Sequence, residues 1–219
     1  MQPTDHPGVY TKNERLFTQN LETCKGMRVY NEQLITEDNH EYRSWNPFRS
    51  KLAAALLKKL SVPLQSDSKV LYLGAATGTT VSHLSDILTD GTVYAVESSP
   101  IALSSLLNVS KQRLNIIPIL ADANHPERYQ QFVPPVDLIY QDISQRNQAD
   151  ILLRNIRVFL KPEGTALIMV KARSIDVALK PKQAYELVTT VLKEQRFVVK
   201  KIVDLAPYEK DHAAILITH

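Results

Sequence analysis

A single cysteine, Cys24, stands among 219 residues, which excludes an internal disulfide and any cysteine-based metal cluster. Long hydrophobic runs are missing too: nothing approaches the roughly 18 apolar residues that a membrane-spanning helix needs. Met1-Gln2-Pro3-Thr4-Asp5-His6 lacks the basic and then apolar order of a secretory signal, so the expected location is the cytoplasm, with no membrane partner. An excess of one charge is also absent. The formal net charge is only +3, a mild pointer to a polyanionic partner. Residues 1–50 hold six Lys/Arg against seven Asp/Glu, a net of −1, so the remainder carries +4. A hydrophobic content of 44% supports a real core, and the length suits one α/β domain with about fifty residues to spare.

Glycine is sparse, and two of the six fall in one short stretch, Val70-Leu71-Tyr72-Leu73-Gly74-Ala75-Ala76-Thr77-Gly78-Thr79-Thr80. Its first four residues read as a buried parallel strand, and the glycines and threonines after them read as a tight turn opening a helix. Gly74 and Gly78 let the backbone turn sharply and admit a ligand against it, with the Thr79 and Thr80 hydroxyls and amides at a helix N-terminus. The next apolar run ends in Glu97, and 97 − 74 = 23, close to the roughly 20-residue offset at which an acidic residue takes ribose hydroxyls. The third glycine of a dinucleotide fingerprint is missing, which favours S-adenosylmethionine over NAD.

Ahead of this stretch, residues 1–45 show short apolar groups between turn formers: Gly8-Val9-Tyr10, Leu16-Phe17, Met27-Arg28-Val29-Tyr30 and Leu34-Ile35. They predict a small N-terminal antiparallel β domain, with the main domain occupying 46–219. A helix follows, with Asn46 as its expected cap and Pro47 in its first turn. Lys51 lies early in that helix, where a cation gains nothing from the macrodipole, and this flags it for function.

Beyond Glu97, the pattern predicts a helix from Pro100 to about Arg113 and a third strand, Ile116–Leu120, whose Pro118 suggests a sheet edge. Asp122 follows that strand, Asp142 follows Val136–Tyr140, and Lys171 follows Thr165–Val170. In an open parallel sheet the ligand crevice lies beyond the carboxyl ends of the strands, so Glu97, Asp122, Asp142 and Lys171 should converge. A helix from Pro181 to Glu194 and two closing antiparallel strands complete the pattern, with His212 just before the last strand. The fold class is therefore α/β and Rossmann-like, of the S-adenosylmethionine-dependent methyltransferase type. It has a seven-stranded, mostly parallel sheet with an antiparallel last strand.

Specific stretches resemble the fibrillarin family, in particular its short archaeal RNA 2′-O-methyltransferases. They are Tyr42-Arg43 with Trp45 to Ala55, Leu71 to His83, Val93 to Glu97, Asp122-Ala123 with His125-Pro126, Asp142 with Gln145, Lys171-Ala172, and Pro207-Tyr208-Glu209 with Asp211-His212. The resemblance runs in order from about residue 42 to the C-terminus. It implies methyl transfer from S-adenosylmethionine, leaving S-adenosylhomocysteine, to a ribose 2′-hydroxyl of rRNA or tRNA without a metal. It implies action inside a box C/D guide ribonucleoprotein, with a Nop-family scaffold protein and a kink-turn-binding protein. By the same resemblance the catalytic set is Lys51, Asp142, Lys171 and His212. Cofactor contacts are Gly74, Thr79, Thr80, Glu97, Ser98, Asp122, Ala123, and Asp142 through Ile143, Ser144 and Gln145. Two positions depart from the family: Ser98 replaces a common aromatic residue, and Gln141 replaces a small one.

The residue types suit the chemistry. A ribose hydroxyl is a poor nucleophile and a sulfonium methyl an activated electrophile, so alignment and a proton acceptor are the chief needs. Lys171 is the expected base, helped by desolvation and by Lys51 as a second cation. Asp142 is expected mainly to orient Lys171 and the ribose, and His212 to relay the proton or hold the hydroxyl. Lys51, Lys58, Lys59, Lys171, Arg173, Lys180 and Lys182 are expected on the RNA side. Two other readings compete: an assembly subunit that binds the cofactor without catalysis, against which the intact Lys51, Asp142, Lys171 and His212 count, and a free-standing small-molecule methyltransferase.

Overall fold

The computed structural model describes residues 1–219. Strands β1 (Gln2–Pro3), β2 (Val9–Lys12), β3 (Arg15–Gln19), β4 (Leu34–Glu37) and β5 (His40–Trp45) form an antiparallel sheet in the order β1-β2-β3-β5-β4. The Met27–Tyr30 segment, expected as a strand, is loop. Its Val29 and Tyr30 amides donate to the Glu32 carboxylate at 2.8–3.1 Å instead of to a strand partner.

Helix α1 (Lys51–Leu57) follows. Its cap is Ser50, whose hydroxyl accepts from Ala53 N–H at 3.3 Å, so the expected start at Asn46-Pro47 is corrected. Asn46 closes a tight turn instead, Oδ1 accepting from Phe48 N–H at 2.9 Å, and this local bond competes with helix formation. The chain then alternates: β6 (Lys69–Leu73), α2 (Thr79–Ile87), β7 (Thr92–Glu97), α3 (Pro100–Ser110), β8 (Ile116–Leu120), β9 (Val136–Gln141), α4 (Gln148–Phe159) and β10 (Leu160–Lys171). The short α5 (Ala172–Ile175), α6 (Pro181–Glu194), β11 (Val198–Asp204) and β12 (His212–Thr218) complete it. No helix is long and apolar enough to cross a membrane.

The main sheet runs β11-β12-β10-β9-β6-β7-β8, and β12 alone opposes the rest. Pro118 lies on the edge strand β8, where a missing N–H is tolerated. The chain adds β7 and β8 on one side of β6, then returns to lay β9 on the other, so a switch point opens beyond the carboxyl ends of β6 and β9. Strand β6 is buried on both faces. Val70 and Tyr72 join a core with α1, α2 and the N-terminal sheet, while Leu71 and Leu73 join one with α4 and α6. Val9, Leu16 and Trp45 belong to the first of these cores, so the small sheet shares its apolar interior with the main one.

A buried ionic network locks the two sheets together. The Arg43 guanidinium on β5 bonds Glu32 at 2.6 and 2.8 Å and Asp86 of α2 at 2.7 Å. Arg113 reaches the other oxygen of Asp86 and bonds Asn20 at 2.7 Å. His83 stacks on Trp45 with ring centroids 4.8 Å apart, between Thr18 and Tyr30 at 2.7 and 2.6 Å. Burial, with Arg43 and Arg113 nearby, pushes its pKa well below the ordinary imidazole value. Burial alone would raise the Glu32 carboxyl, but Arg43 and the Tyr30 and Val29 amides outweigh it, and its pKa is lowered.

Candidate active site

At the switch point lies a cavity of about 200 Å³. Its lining includes nine of the residues expected to hold the cofactor: Gly74, Glu97, Ser98, Asp122, Ala123, Asp142, Ile143, Ser144 and Gln145. Thr79 and Thr80 are not in that lining. Thr80 is buried and its hydroxyl donates to Ser50 at 3.0 Å, so this side chain ties the start of α2 to the cap of α1. Thr79 lies on a different depression, beside Arg28, Arg49 and Thr77. The sequence signal missed Ala76, Val96, Ala121 and Ile151, small or apolar wall residues without a chemical mark of their own, and the polar Asn124.

Gly74 has φ of +85°, and a Cβ there would lie 2.3 Å from the Asp142 carbonyl oxygen and 2.8 Å from an Ile143 methyl. Its lack of a side chain therefore serves first to let the loop after β6 touch the loop after β9, rather than to admit a ligand. Gly78 (φ +93°) caps α2, and its missing Cβ leaves room for Leu106 of α3.

The Glu97 carboxylate accepts Ala76 N–H on one oxygen at 2.8 Å and Ser99 N–H on the other at 2.7 Å. A carboxylate offers about four lone-pair positions, so each oxygen keeps one, which matches two vicinal ribose hydroxyls. Asp122 takes both its bonds from Asn124 on Oδ1, at 2.8 and 3.0 Å, leaving Oδ2 without a donor from the chain. The Asn124 backbone and side-chain amides hold this carboxyl below its ordinary pKa. An accepting oxygen here suits an exocyclic amine of a purine. The residues present thus fit an adenosyl group.

Next to this cavity the charged residues gather. Lys51, in the first turn of α1, pairs with Asp142 at 2.9 and 3.0 Å, both groups about one-fifth exposed. That pairing corrects the expectation that Asp142 orients Lys171, and it explains a lysine at the positive end of a helix: the aspartate across the crevice offsets the dipole. Lys171 instead has the Ser144 hydroxyl at 3.5 Å and no carboxylate within ion-pair distance. Register places Lys171 opposite His212 on β12. The His212 Nδ1 lies 2.6 Å from the Lys210 carbonyl. A carbonyl only accepts, so Nδ1 is the nitrogen that carries a proton here, and Nε2 is the one left facing away from this contact.

The root of Lys171 is held on its other side as well. Strand β9 ends opposite Ile168, so it does not reach Lys171. The buried Gln148 of α4 takes over: its Oε1 accepts Lys171 N–H and its Nε2 donates to Lys171 C=O, each at 3.1 Å. Gln141, the departure from the small residue of the family, is buried and donates to the Gln148 carbonyl at 2.7 Å.

The fibrillarin family model matches residues 1–219. This chain belongs to the fibrillarin family. It is 49% identical over 211 residues, 95% of this chain and 92% of the other, to the fibrillarin-like rRNA/tRNA 2′-O-methyltransferase of Methanosarcina barkeri. Among solved structures it superimposes on the Aeropyrum pernix fibrillarin with natively bound S-adenosyl-L-methionine at a TM-score of 0.90, 42% identity, covering 99% of this chain and 97% of that one. A fibrillarin/Nop5p complex supplies a third match, with a TM-score of 0.89 and 43% identity over the whole of both chains. The α/β fold read from the sequence, a seven-stranded sheet with an antiparallel last strand plus an N-terminal antiparallel sheet, is the one this fibrillarin adopts.

Proposed function

We propose that this fibrillarin is an RNA 2′-O-ribose methyltransferase that uses S-adenosylmethionine on rRNA or tRNA, directed to its nucleotides by a box C/D guide RNA. The observation that carries the reading is the meeting, on one crevice, of an adenosyl-shaped cavity and a set of proton-handling groups with unused hydrogen-bonding capacity. Its close kinship with a chain named as a 2′-O-methyltransferase, and with one holding S-adenosylmethionine, supports the same assignment. Likeness to the fibrillarin of a Nop5p complex supports a Nop-family scaffold partner. A kink-turn-binding protein and the guide RNA complete the proposed assembly.

When bound, S-adenosylmethionine supplies a sulfonium methyl that needs no further activation. The protein's share is placement and the proton. Glu97 and Asp122 would hold the ribose and base of the adenosyl group. Asp142, paired with Lys51 through one contact on each oxygen, would keep lone pairs to present to the target ribose without drawing Lys171 to itself. Lys171, free of a carboxylate and fixed through its backbone by Gln148, is assigned the 2′-hydroxyl proton. In the neutral ring, the lone pair on His212 Nε2 gives that proton a second acceptor.

The reading is tested by following labelled methyl transfer to an RNA target with and without the guide RNA and the two partner proteins. Transfer that requires the full assembly is the expected result. Transfer by the lone chain, or cofactor binding with no transfer in any assembly, would overturn it.

A further inference from the structure

A second depression, of about 400 Å³, has walls that include Trp45, Pro47, Phe48, Leu57 and Tyr208, with Glu14 and Arg15 as its charged lining. Phe48 is 62% exposed, a large apolar ring left in water. It is not loose: its ring meets Tyr208 edge-on, centroids 5.2 Å apart at 72°. Tyr208 is fixed in turn. Its amide donates to the Leu205 carbonyl at 3.0 Å, and Lys58 Nζ reaches the neighbouring Ala206 carbonyl at 2.5 Å.

Both rings share their segments with residues of the proposed catalytic set. Phe48 precedes Lys51 by three residues, which limits their Cα atoms to roughly 11 Å. Tyr208 lies in the β11–β12 connection that Leu205 N–H closes onto the His212 carbonyl at 2.9 Å. The groove thus shares its chain segments with the place where a target ribose would react, and its own lining pairs one cation, Arg15, with one carboxylate, Glu14, so it is the exposed ring and not net charge that would receive the strand.

We infer that this groove seats a nucleobase of the RNA strand next to the target nucleotide, stacked on Phe48. The inference rests on the RNA reading above and names a contact that holds the strand while its ribose is aligned. A π-face receives every base alike, which suits a protein whose choice of sequence is left to base pairing with a guide. The Tyr208 edge contact fixes the plane of the Phe48 ring, so the stack is organised before RNA arrives.

The test uses the assembled complex and target RNAs in which each nucleotide flanking the methylated one is replaced in turn by an abasic residue. Wild type, Phe48→Ala and Phe48→Tyr are compared for KM and kcat, for cofactor affinity and for retention of the scaffold protein. Phe48→Ala is expected to raise KM for RNA roughly 5- to 150-fold, the range of one lost base stack, with cofactor affinity unchanged. Phe48→Tyr should restore it. One abasic position should reproduce the loss in wild type and add nothing further in Phe48→Ala. Unchanged KM in Phe48→Ala, or losses that add at every position, would overturn the inference while leaving the methyltransferase intact. Release of the scaffold protein by Phe48→Ala would assign the ring to a protein contact and overturn it as well. Failure of the wild-type assembly to methylate any RNA would remove the RNA reading first, and the stacking site with it.

Discussion

Between the N-terminal sheet and α2, Arg43, Glu32, Asp86 and Arg113 are closed to solvent, each charge facing an opposite one at hydrogen-bond distance. At the carboxyl edge of the main sheet, Lys51, Asp142, Lys171 and His212 keep part of their surface, and Lys171 has only a hydroxyl for company. The same side-chain types do opposite work in the two places. Where every donor has its acceptor, charge fixes geometry and can take no part in a reaction. Where capacity is left over, a substrate can be met.

The largest expected effect lies on the open side. Lys171→Ala should lower methyl transfer by the assembled complex by about 10²- to 10⁴-fold, the share of a positioned proton acceptor. Its thermal unfolding should stay close to wild type, because no ion pair is broken. A variant that retains full activity would move the proton to another group. On the sealed side the signs reverse. Arg43→Ala strands Glu32 and part of Asp86, and should cost about 3–5 kcal/mol in denaturant unfolding, visible before any loss of intrinsic cofactor affinity in the molecules that remain folded.

A smaller effect sharpens the same contrast through pH. Burial holds His83 neutral in the folded chain, whereas the unfolded chain protonates it near 6.5. Below that pH the unfolded state therefore binds more protons, and stability falls as pH drops, by up to about 1.4 kcal/mol per pH unit. His83→Gln should lose this slope between pH 6.5 and 5. Glu32, with its lowered pKa, stabilises above 4.5 and loses that contribution only as pH falls through its folded value, so its slope should survive in the variant. Urea melts across pH 3 to 7 separate the two.

The smallest effect concerns exposed cations. Of the seven expected to face RNA, Lys51 is paired with Asp142, Arg173 with Asp211, and Lys58 with a carbonyl. Lys180 and Lys182, on the exposed start of α6, have no ion pair. Reversing their charges should lower the salt slope of RNA binding by about one for each phosphate they cease to neutralise. No change would remove this face from the RNA path.

Much of the fold was legible because it is local. Unbroken apolar strands, a proline on the edge strand and the glutamate 23 residues after Gly74 are patterns within a few dozen residues. Pairing over distance escaped. Arg43 and Asp86 are 43 residues apart, Arg113 and Asn20 are 93 apart, and nothing in either neighbourhood says that they meet. The same blindness misassigned Asp142, whose partner Lys51 lies 91 residues away. The Met27–Tyr30 strand failed for a nearer reason: Glu32 gathers the amides that a strand would have used. Helix α4 is legible in the helical spacing of Ile151, Leu152, Ile156 and Phe159, but that spacing does not reveal that Gln148 in its first turn reaches Lys171.

The touching of Gly74 and Asp142 has a mechanical meaning. With no side chain between them, the turn after β6 and the start of the loop that carries the Asp142 carboxylate lie in direct contact, with no space for either to move toward the other. In an engineer's sense the glycine is a zero-thickness shim: at φ +85°, with the place of its missing Cβ 2.3 Å from a backbone oxygen, any thicker residue would have to force the two loops apart.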